Sequence, residues 1–448
     1  MHPSAFLHRK VVSRSESVID LSLADVTLAR LSPVATGLDK ISFGGSPMLD
    51  RREMMKRAGT AALGAAAGLT SVRAFALDTV TLPFDNGERP LVKYPQKRPM
   101  IGLTSRPPQL ETPFSIFNDG AITPNDAFFV RYHLADVPLN IDPDKFTLEI
   151  KGKVDRPIKL SLKELKKLPA IELVAVNQCS GNSRGFSNPR VAGGQLGNGA
   201  MGNARWRGVP LKTVLDKAGV QQGAKQVTFN GMDGPVSDKT PDFIKALDID
   251  HARDGEVMLA YGMNGEELPV LNGFPLRLIV PGYYGTYWLK HLNEITVIDS
   301  VFDGFWMKSA YRIPDTACGC VEPGTAPKAT IPINRFTVRS FITNVTDGAK
   351  LKPGGTTLKG IAFDGGKGIK EVAVSLDGGK TWTPAKLGKD LGKYSFREWK
   401  LPVRLAASSF ELKVRATNNA GDTQPAEPFW NPAGYLRNVI ETVRVTAA

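Results

Sequence analysis

Beyond Ile331 the pattern of the chain changes, and that change sets the architecture. Short β-branched and aromatic runs follow one another with turn signals between them: Phe336-Thr337-Val338-Arg339-Ser340-Phe341, then Glu371-Val372-Ala373-Val374-Ser375 ending at Asp377-Gly378-Gly379, then Phe410-Glu411-Leu412-Lys413-Val414-Arg415. Strands of this length and spacing bury their apolar faces by pairing into two sheets, so residues 331–448 are expected to form an immunoglobulin-like β-sandwich. From about 121 to 325 the pattern is mixed. Phe146-Thr147-Leu148-Glu149-Ile150 alternates as a strand, Ser161-Leu162-Lys163-Glu164 opens a helix to Leu168 with a capping box, and Pro210 starts another. Val257–Tyr261 and Leu276–Val280 are further strands, which makes this region an α+β domain. Between them and the N-terminus, residues 77–120 carry Arg89-Pro90, Tyr94-Pro95, Arg98-Pro99 and Arg106-Pro107-Pro108. Proline and the residue before it disfavour helix, so an extended arm lying over a domain is expected here.

Residues 1–76 stand apart from the fold. Arg51-Arg52 precedes a weakly apolar, Ala/Gly-rich run from Ala58 to Val72, and Ala74-Phe75-Ala76 is a small-x-small cleavage site. That is a twin-arginine signal region, which exports proteins already folded, and it places the mature protein in the periplasm. The run is too short and glycine-rich to span a bilayer, so no membrane span is expected. Met48 is the expected start of translation, because it leaves a charged n-region of ordinary length. The formal charge of +13 falls to +9 without the first 76 residues, which carry 10 Lys/Arg and 6 Asp/Glu. The basic residues are dispersed, not striped along a helix, and nucleic acid is not an expected partner. A basic surface suits a small anionic substrate or an acidic electron-transfer partner, and equally a solvated face without a role.

Three cysteines exclude a disulfide-stapled scaffold. Cys318 and Cys320 are too close for an ordinary loop-closing bridge, although an oxidising compartment permits a strained one, and no function is assigned to them. The absence of Cys-x-x-Cys-His excludes covalently attached haem on this chain. Cys179 is different. It ends the apolar run Ile171–Val176 and opens Asn177-Gln178-Cys179-Ser180-Gly181-Asn182-Ser183-Arg184-Gly185, where small residues let backbone approach a bulky ligand and a guanidinium favours thiolate. Upstream, Phe128-Phe129-Val130-Arg131-Tyr132-His133 ends another apolar run in a polar cluster. Downstream come Gly231-Met232-Asp233-Gly234, Met263-Asn264-Gly265, and Asn272-Gly273-Phe274-Pro275-Leu276-Arg277 continuing through Pro281-Gly282 to Trp288-Leu289-Lys290. Amide donors, cations and close-approaching backbone are what a pterin and a phosphate need.

Taken together, these segments resemble the sulfite oxidase family of molybdenum enzymes, over nearly the whole chain from about 115 to 445. The resemblance implies a molybdenum–molybdopterin cofactor (a Mo-pyranopterin) with the sulfur of Cys179 as metal ligand, consistent with the need of a high-valent metal for soft, electron-rich donors. It further implies that Arg131, His133 and Arg184 hold the substrate and that Tyr311 is an active-site tyrosine whose hydroxyl hydrogen-bonds near the reacting oxo group. Cofactor contacts are implied at Phe129, Val130, Arg131, Tyr132, His133, Asp233, Asn272, Arg277, Trp288, Leu289 and Lys290. Tyr132 and Asn272 depart from the vertebrate pattern of asparagine and histidine. The chain is most similar to the bacterial sulfite dehydrogenases, whose implied reaction is oxidation of sulfite to sulfate with electrons passed to a separate c-type cytochrome. The C-terminal sandwich would then be the domain that pairs two copies. Two alternatives stand beside this reading: a sulfane-sulfur dehydrogenase or methionine sulfoxide reductase on the same fold, and a cofactor-free periplasmic binding module.

Overall fold

The computed structural model describes residues 78–82 and 86–448, all of them within one compact unit. The expected twin-arginine signal and the start at Met48 lie outside the described residues. The strands, in chain order, are β1 Thr79–Thr81, β2 Glu88–Val92, β3 Met100–Ser105, β4 Pro108–Glu111, β5 Val130–Arg131, β6 Thr147–Gly152, β7 Ile158–Ser161, β8 Ile171–Gln178, β9 Met201–Pro210, β10 Gln226–Gly231, β11 Lys245–Asp248, β12 Met258–Met263, β13 Glu266–Glu267, β14 Arg277–Ile279 and β15 Leu292–Ile298. After them come β16 Arg312–Pro314, β17 Thr330–Pro332, β18 Arg339–Ile342, β19 Ala349–Leu351, β20 Gly354–Phe363, β21 Ile369–Ser375, β22 Thr383–Pro384, β23 Lys386–Leu387, β24 Arg397–Leu405, β25 Ser408–Asn418 and β26 Thr442–Ala447.

Helices are few and short among the described residues. Leu162–Leu165 begins where the sequence predicts: Ser161 accepts from the Glu164 N–H while the Glu164 carboxylate accepts from the Ser161 N–H. It ends before the expected Leu168. Leu211–Ala218 follows Pro210 and buries Leu211, Val214, Leu215 and Ala218, one face of a single amphipathic element. The α+β reading therefore holds with strands dominating.

The proline-rich segment does more than lie extended. Its strands pair with one another and with β5 into an antiparallel sheet in the order β1-β2-β3-β4-β5. Prolines remove ladder donors without forbidding short strands at turns and edges. This sheet has its own small core of Met100, Leu110, Val130, Tyr132 and Leu271. At its inner end Glu111 is buried, one oxygen accepting the Gly197 N–H at 2.6 Å and the other without a partner. Burial raises its carboxyl to about 7. Between the ordinary carboxylate range and that value the folded state holds a proton that the unfolded chain has released, so this contribution to stability is lost as pH rises towards 7. Glu111→Gln is expected to be more stable than the parent at pH 8, by up to about 3 kcal/mol, and no more stable at pH 4. Melting temperatures at both pH values check this, and a parallel pH dependence in the two proteins contradicts it.

Two sheets build the middle of the chain, β11-β10-β15-β6-β7 and β13-β12-β9-β8 with β14 on β12. Their shared core runs on without a break into Phe341, Ile361, Phe363 and Phe396 of the C-terminal part. Edge-to-face rings make the join: Phe114 on Phe341 at 5.4 Å and Phe117 on Phe396 at 5.8 Å. The C-terminal part has two sheets, β18-β20-β24-β23 and β19-β26-β25-β21-β22. Val338, Ile342, Leu358, Ala362 and Trp399 from the first side meet Val372, Val374, Leu412, Val414 and Val445 from the second in one apolar layer. That is a β-sandwich, with the runs at Glu371 and Phe410 forming strands as expected. The run at Phe336 forms a strand only from Arg339 onward.

Candidate functional site

Cys179 sits where β8 ends. The N–H of Cys179 donates to Ala200 at 2.9 Å, continuing the β8–β9 ladder for one residue before the chain turns. The turn is fastened by Asn182, whose side-chain oxygen accepts the Ala200 N–H at 3.0 Å, and it passes through Ser183 at φ 71. On its open side β8 is an edge strand, and the Tyr394 carbonyl of the sandwich accepts the Val176 N–H at 2.9 Å. An edge capped in this way stays in register and holds the thiol still.

The thiol lines a cleft, and the cleft gathers most of the residues expected from sequence. Phe129, Arg131, His133, Asp233, Asn272, Arg277, Trp288, Leu289, Lys290 and Tyr311 all line it with Cys179. Three expected residues do not. Val130 and Tyr132 face the opposite way, into the small core of the N-terminal sheet, because alternate residues of an extended segment point to opposite faces. Arg184 is not in the lining either: its Nε donates to the Ala433 carbonyl at 2.8 Å and its guanidinium lies 4.9 Å from the Tyr435 ring.

Burial and charge shape each group in the cleft. His133 stacks on Phe243 at 3.7 Å, nearly parallel, and its Nε2 is hydrogen-bonded to the Tyr311 hydroxyl. Burial first, then the charges of Arg131, Lys290 and Lys245, hold the imidazole well below its usual pKa, so His133 is neutral at physiological pH. Tyr311 takes a positive φ of 58, costly for an aromatic residue, and burial pushes its hydroxyl above the usual phenol range. Lys290 is pushed down to about 7 by burial and then by Arg277, with Asp233 acting the other way. Its Nζ donates to the Arg131 carbonyl and lies 3.9 Å from the Tyr132 ring. The Asp233 carboxyl is itself raised by burial. Arg277 is buried between Trp206 and Trp288, at 5.4 and 6.0 Å from their rings, and donates to the Asn272 carbonyl at 3.0 Å.

Tyr132, though outside the cleft, has a clear structural task. His291 Nδ1 lies 2.6 Å from the Phe274 carbonyl and must donate to it, which leaves Nε2 to accept from the Tyr132 hydroxyl at 2.6 Å. The pair ties the strand before His133 to the segment after Lys290. Burial holds His291 down to about 3, so the tautomer persists across working pH.

Sequence reasoning missed several members. Asn177, Ser180, Phe243, Leu271, Gly285 and Thr286 also line the cleft. The pleat could have found Asn177, two residues before Cys179 on the same strand. Lys97, from the N-terminal segment, is buried and donates to the Asn125 and Phe128 carbonyls and to Asn272 Oδ1 at 2.6, 2.9 and 2.6 Å, which positions the Asn272 amide behind the cleft. Lys245 is fully buried below Tyr311, its Nζ donating to the Trp306 carbonyl at 2.6 Å. No local pattern marks either lysine.

The chemistry of the lining states what fits. Both side-chain atoms of the Asn177 amide, Ser180 Oγ, Thr286 Oγ1 and Arg277 Nε are buried without a hydrogen-bond partner. Each such group costs about 1–3 kcal/mol, so their convergence on one cleft fits a ligand rich in donors and acceptors. Two arginines, Arg131 and Arg277, with Lys290 pressed down to about 7, against the one carboxyl of Asp233, suit an anionic ligand. Gly285 keeps the floor open, since a Cβ there would lie 2.4 Å from Asn177 Oδ1. A soft thiol, orphaned amides and hydroxyls, and a cationic end match the donor set of a metal–pterin phosphate.

Comparison with known proteins agrees with this chemistry. The family model described as the oxidoreductase molybdopterin binding domain matches residues 133–306, and the Mo-co oxidoreductase dimerisation domain matches residues 330–448. Human mitochondrial sulfite oxidase is 35% identical over 377 residues, covering 80% of this chain and 67% of its own. Sulfite oxidase of Arabidopsis thaliana is 31% identical over 380 residues, covering 79% and 96%. Among solved structures, the sulfane dehydrogenase SoxCD from Paracoccus pantotrophus aligns with a TM-score of 0.67 at 25% identity, over 83% of this chain and 88% of that one.

Proposed function

This chain belongs to the sulfite oxidase family of molybdopterin-binding oxidoreductases, and we propose that within it the reaction is oxidation of sulfite to sulfate, with the electrons passed to a separate c-type cytochrome. Membership in the family removes the alternative of a cofactor-free binding module. The observation that carries the substrate assignment is the cleft's own charge: Arg131 and neutral His133 stand beside Cys179, and the pocket's cations outnumber its carboxylate. A small oxyanion fits that lining better than an organic side chain does.

The cofactor, when bound, supplies a two-electron redox centre that exchanges an oxygen atom with substrate. Everything else is the protein's work. Cys179 would offer the metal a soft thiolate, Asn177, Ser180, Thr286 and Arg277 would present unpaired polar atoms to the pterin and its phosphate, and Lys290 would add charge. Arg131 orients the anion with its guanidinium fork. His133 donates or accepts one hydrogen bond without carrying charge, so the pocket's positive field comes from groups that stay charged. Tyr311 donates its hydroxyl proton in hydrogen bonding and keeps it, because burial opposes phenolate. Phe243 and Trp306 wall the His133 side from water.

We assign export by the twin-arginine route and a periplasmic location to the Arg51-Arg52 signal, and division into a cofactor domain over 121–325 and a sandwich over 331–448. Assembly as a homodimer through the C-terminal part is supported by the dimerisation-domain match. The strand orders β18-β20-β24-β23 and β19-β26-β25-β21-β22 support reading that part as immunoglobulin-like. Among the described residues no helix is long and apolar enough to cross a membrane.

Purified, molybdenum-loaded protein is expected to reduce a c-type cytochrome with sulfite as donor. The likeness to a sulfane dehydrogenase favours, as second reading, a sulfane-sulfur substrate, so a small-molecule persulfide is the paired substrate in the same assay. Absence of any sulfite-dependent rate overturns the proposal. Gly285→Ala tests the cleft separately. The added methyl presses on Asn177, so bound molybdenum is expected to fall by at least roughly half while the fold survives, as overpacking at one polar wall costs about 1–3 kcal/mol. Elemental analysis beside a thermal melt checks it, and full molybdenum occupancy contradicts it.

A further inference from the structure

We propose that Tyr435 is the positioning residue that sets the affinity of the cleft for a tetrahedral or pyramidal oxyanion, acting through Tyr311; the proposal rests on the reading of the cleft as a sulfite site. Tyr435 comes from the C-terminal part of the chain, outside the segment matched to the molybdopterin-binding domain. Its ring lies parallel to that of Tyr311, at 5.7 Å and 5°, and 4.9 Å from the Arg184 guanidinium. Tyr311 in turn is hydrogen-bonded to His133 in the cleft. One ring thus touches both the tyrosine that faces the substrate and the arginine that follows Cys179 by one turn of chain.

The segment carrying Tyr435 is built to be rigid. Asn431 is buried, accepts the N–H groups of Ala433 and Tyr435 at 3.2 and 3.1 Å, and donates to the Tyr435 carbonyl at 2.8 Å. The carbonyl of Ala433 holds Arg184 Nε. Gly434 at φ 61 lets the turn close, because a Cβ there would lie 2.8 Å from Arg184 Cγ and 2.6 Å from Val191. Next along, Leu436 packs on Gly319 between the disulfide-bonded Cys318 and Cys320, and the Val321 N–H donates to the Trp430 carbonyl at 3.0 Å. Backbone ties on both sides fix the position from which the ring projects.

A stack of this kind restrains what Tyr311 cannot restrain alone. With φ at 58 the Tyr311 backbone is strained, and its ring needs a partner to stay beside His133. Removing the ring of Tyr435 frees Tyr311 and costs anion affinity before it costs chemistry. The hydroxyl of Tyr435 makes a side-chain hydrogen bond with Arg184, which stands outside the cleft lining, so phenylalanine, which keeps the ring against Tyr311, should serve.

The test uses the full molybdenum-loaded chain with sulfite turnover and, independently, calorimetric binding of sulfate. Tyr435→Leu is expected to raise KM for sulfite and the Kd for sulfate by about tenfold each, with kcat within about threefold, and Tyr435→Phe to restore both. Should the leucine variant fail to load molybdenum, Tyr435→Met, unbranched and without a ring, carries the same expectation. Unchanged sulfate affinity in the ringless variants, or a phenylalanine variant as weak as leucine, overturns the proposal. If the parent shows no turnover of sulfite, the functional reading fails, while sulfate binding still decides the role of Tyr435.

Discussion

Cys179→Ser yields a folded protein with turnover reduced by about a thousandfold or more, equivalent to about 4 kcal/mol of activation free energy. The thiol ends β8 in a position fixed by the Ala200 carbonyl, by Asn182 and by the Tyr394 carbonyl against the strand edge, so a serine takes the same place without a steric penalty. The change is chemical. A hydroxyl is a hard, weakly acidic donor, and a high-valent metal bound among sulfur ligands loses the electron-rich partner that stabilises its oxidised state. Because the side chain is buried beside other polar groups, the melting temperature should move by only a few degrees, at about 1 kcal/mol. Steady-state turnover per bound molybdenum, set beside a thermal melt, checks the outcome; a serine variant with parental turnover excludes ligation by residue 179.

Arg131→Gln raises KM for sulfite by about 10- to 100-fold, with a smaller effect on kcat. The magnitude follows from losing charge-assisted hydrogen bonds of about 1.5–3 kcal/mol. The guanidinium is held by β5, where Arg131 pairs with Gln109, and by donation to the Tyr132 carbonyl. Lys290 is pressed down to about 7, which leaves the guanidinium of Arg131 as the better-suited group to hold an anion in the cleft. Its loss should also flatten the ionic-strength dependence of kcat/KM, since a screened field no longer steers the anion. An unchanged KM in the glutamine variant removes Arg131 from the substrate side.

Local chemistry was readable from sequence and tertiary proximity was not. The capping box at Ser161 and the strand ending at Cys179 are decided by neighbours within a few residues, and both stand in the structure as expected. The block from Phe129 to His133 was legible as a block only. The pleat divides it, sending Phe129, Arg131 and His133 into the cleft and Val130 and Tyr132 into the core behind. Arg184 stands within a turn of Cys179 in sequence, yet it is drawn to Ala433 and Tyr435, residues brought close only by the sandwich. Lys97 and Lys245 were illegible for the same reason, since a lysine becomes a buried hydrogen-bond hub only through carbonyls that the fold supplies. The proline-rich segment shows the converse: its residues say where helix is forbidden, and only non-local pairing with β5 makes it a sheet.

The central claim is that the sulfur of Cys179 ligates molybdenum inside a cationic cleft, and X-ray absorption at the molybdenum edge reads it directly. Three sulfur neighbours per metal are expected in the parent, two from the pterin and one from the protein, falling to two in Cys179→Ser. The same sulfur count in both proteins contradicts the account.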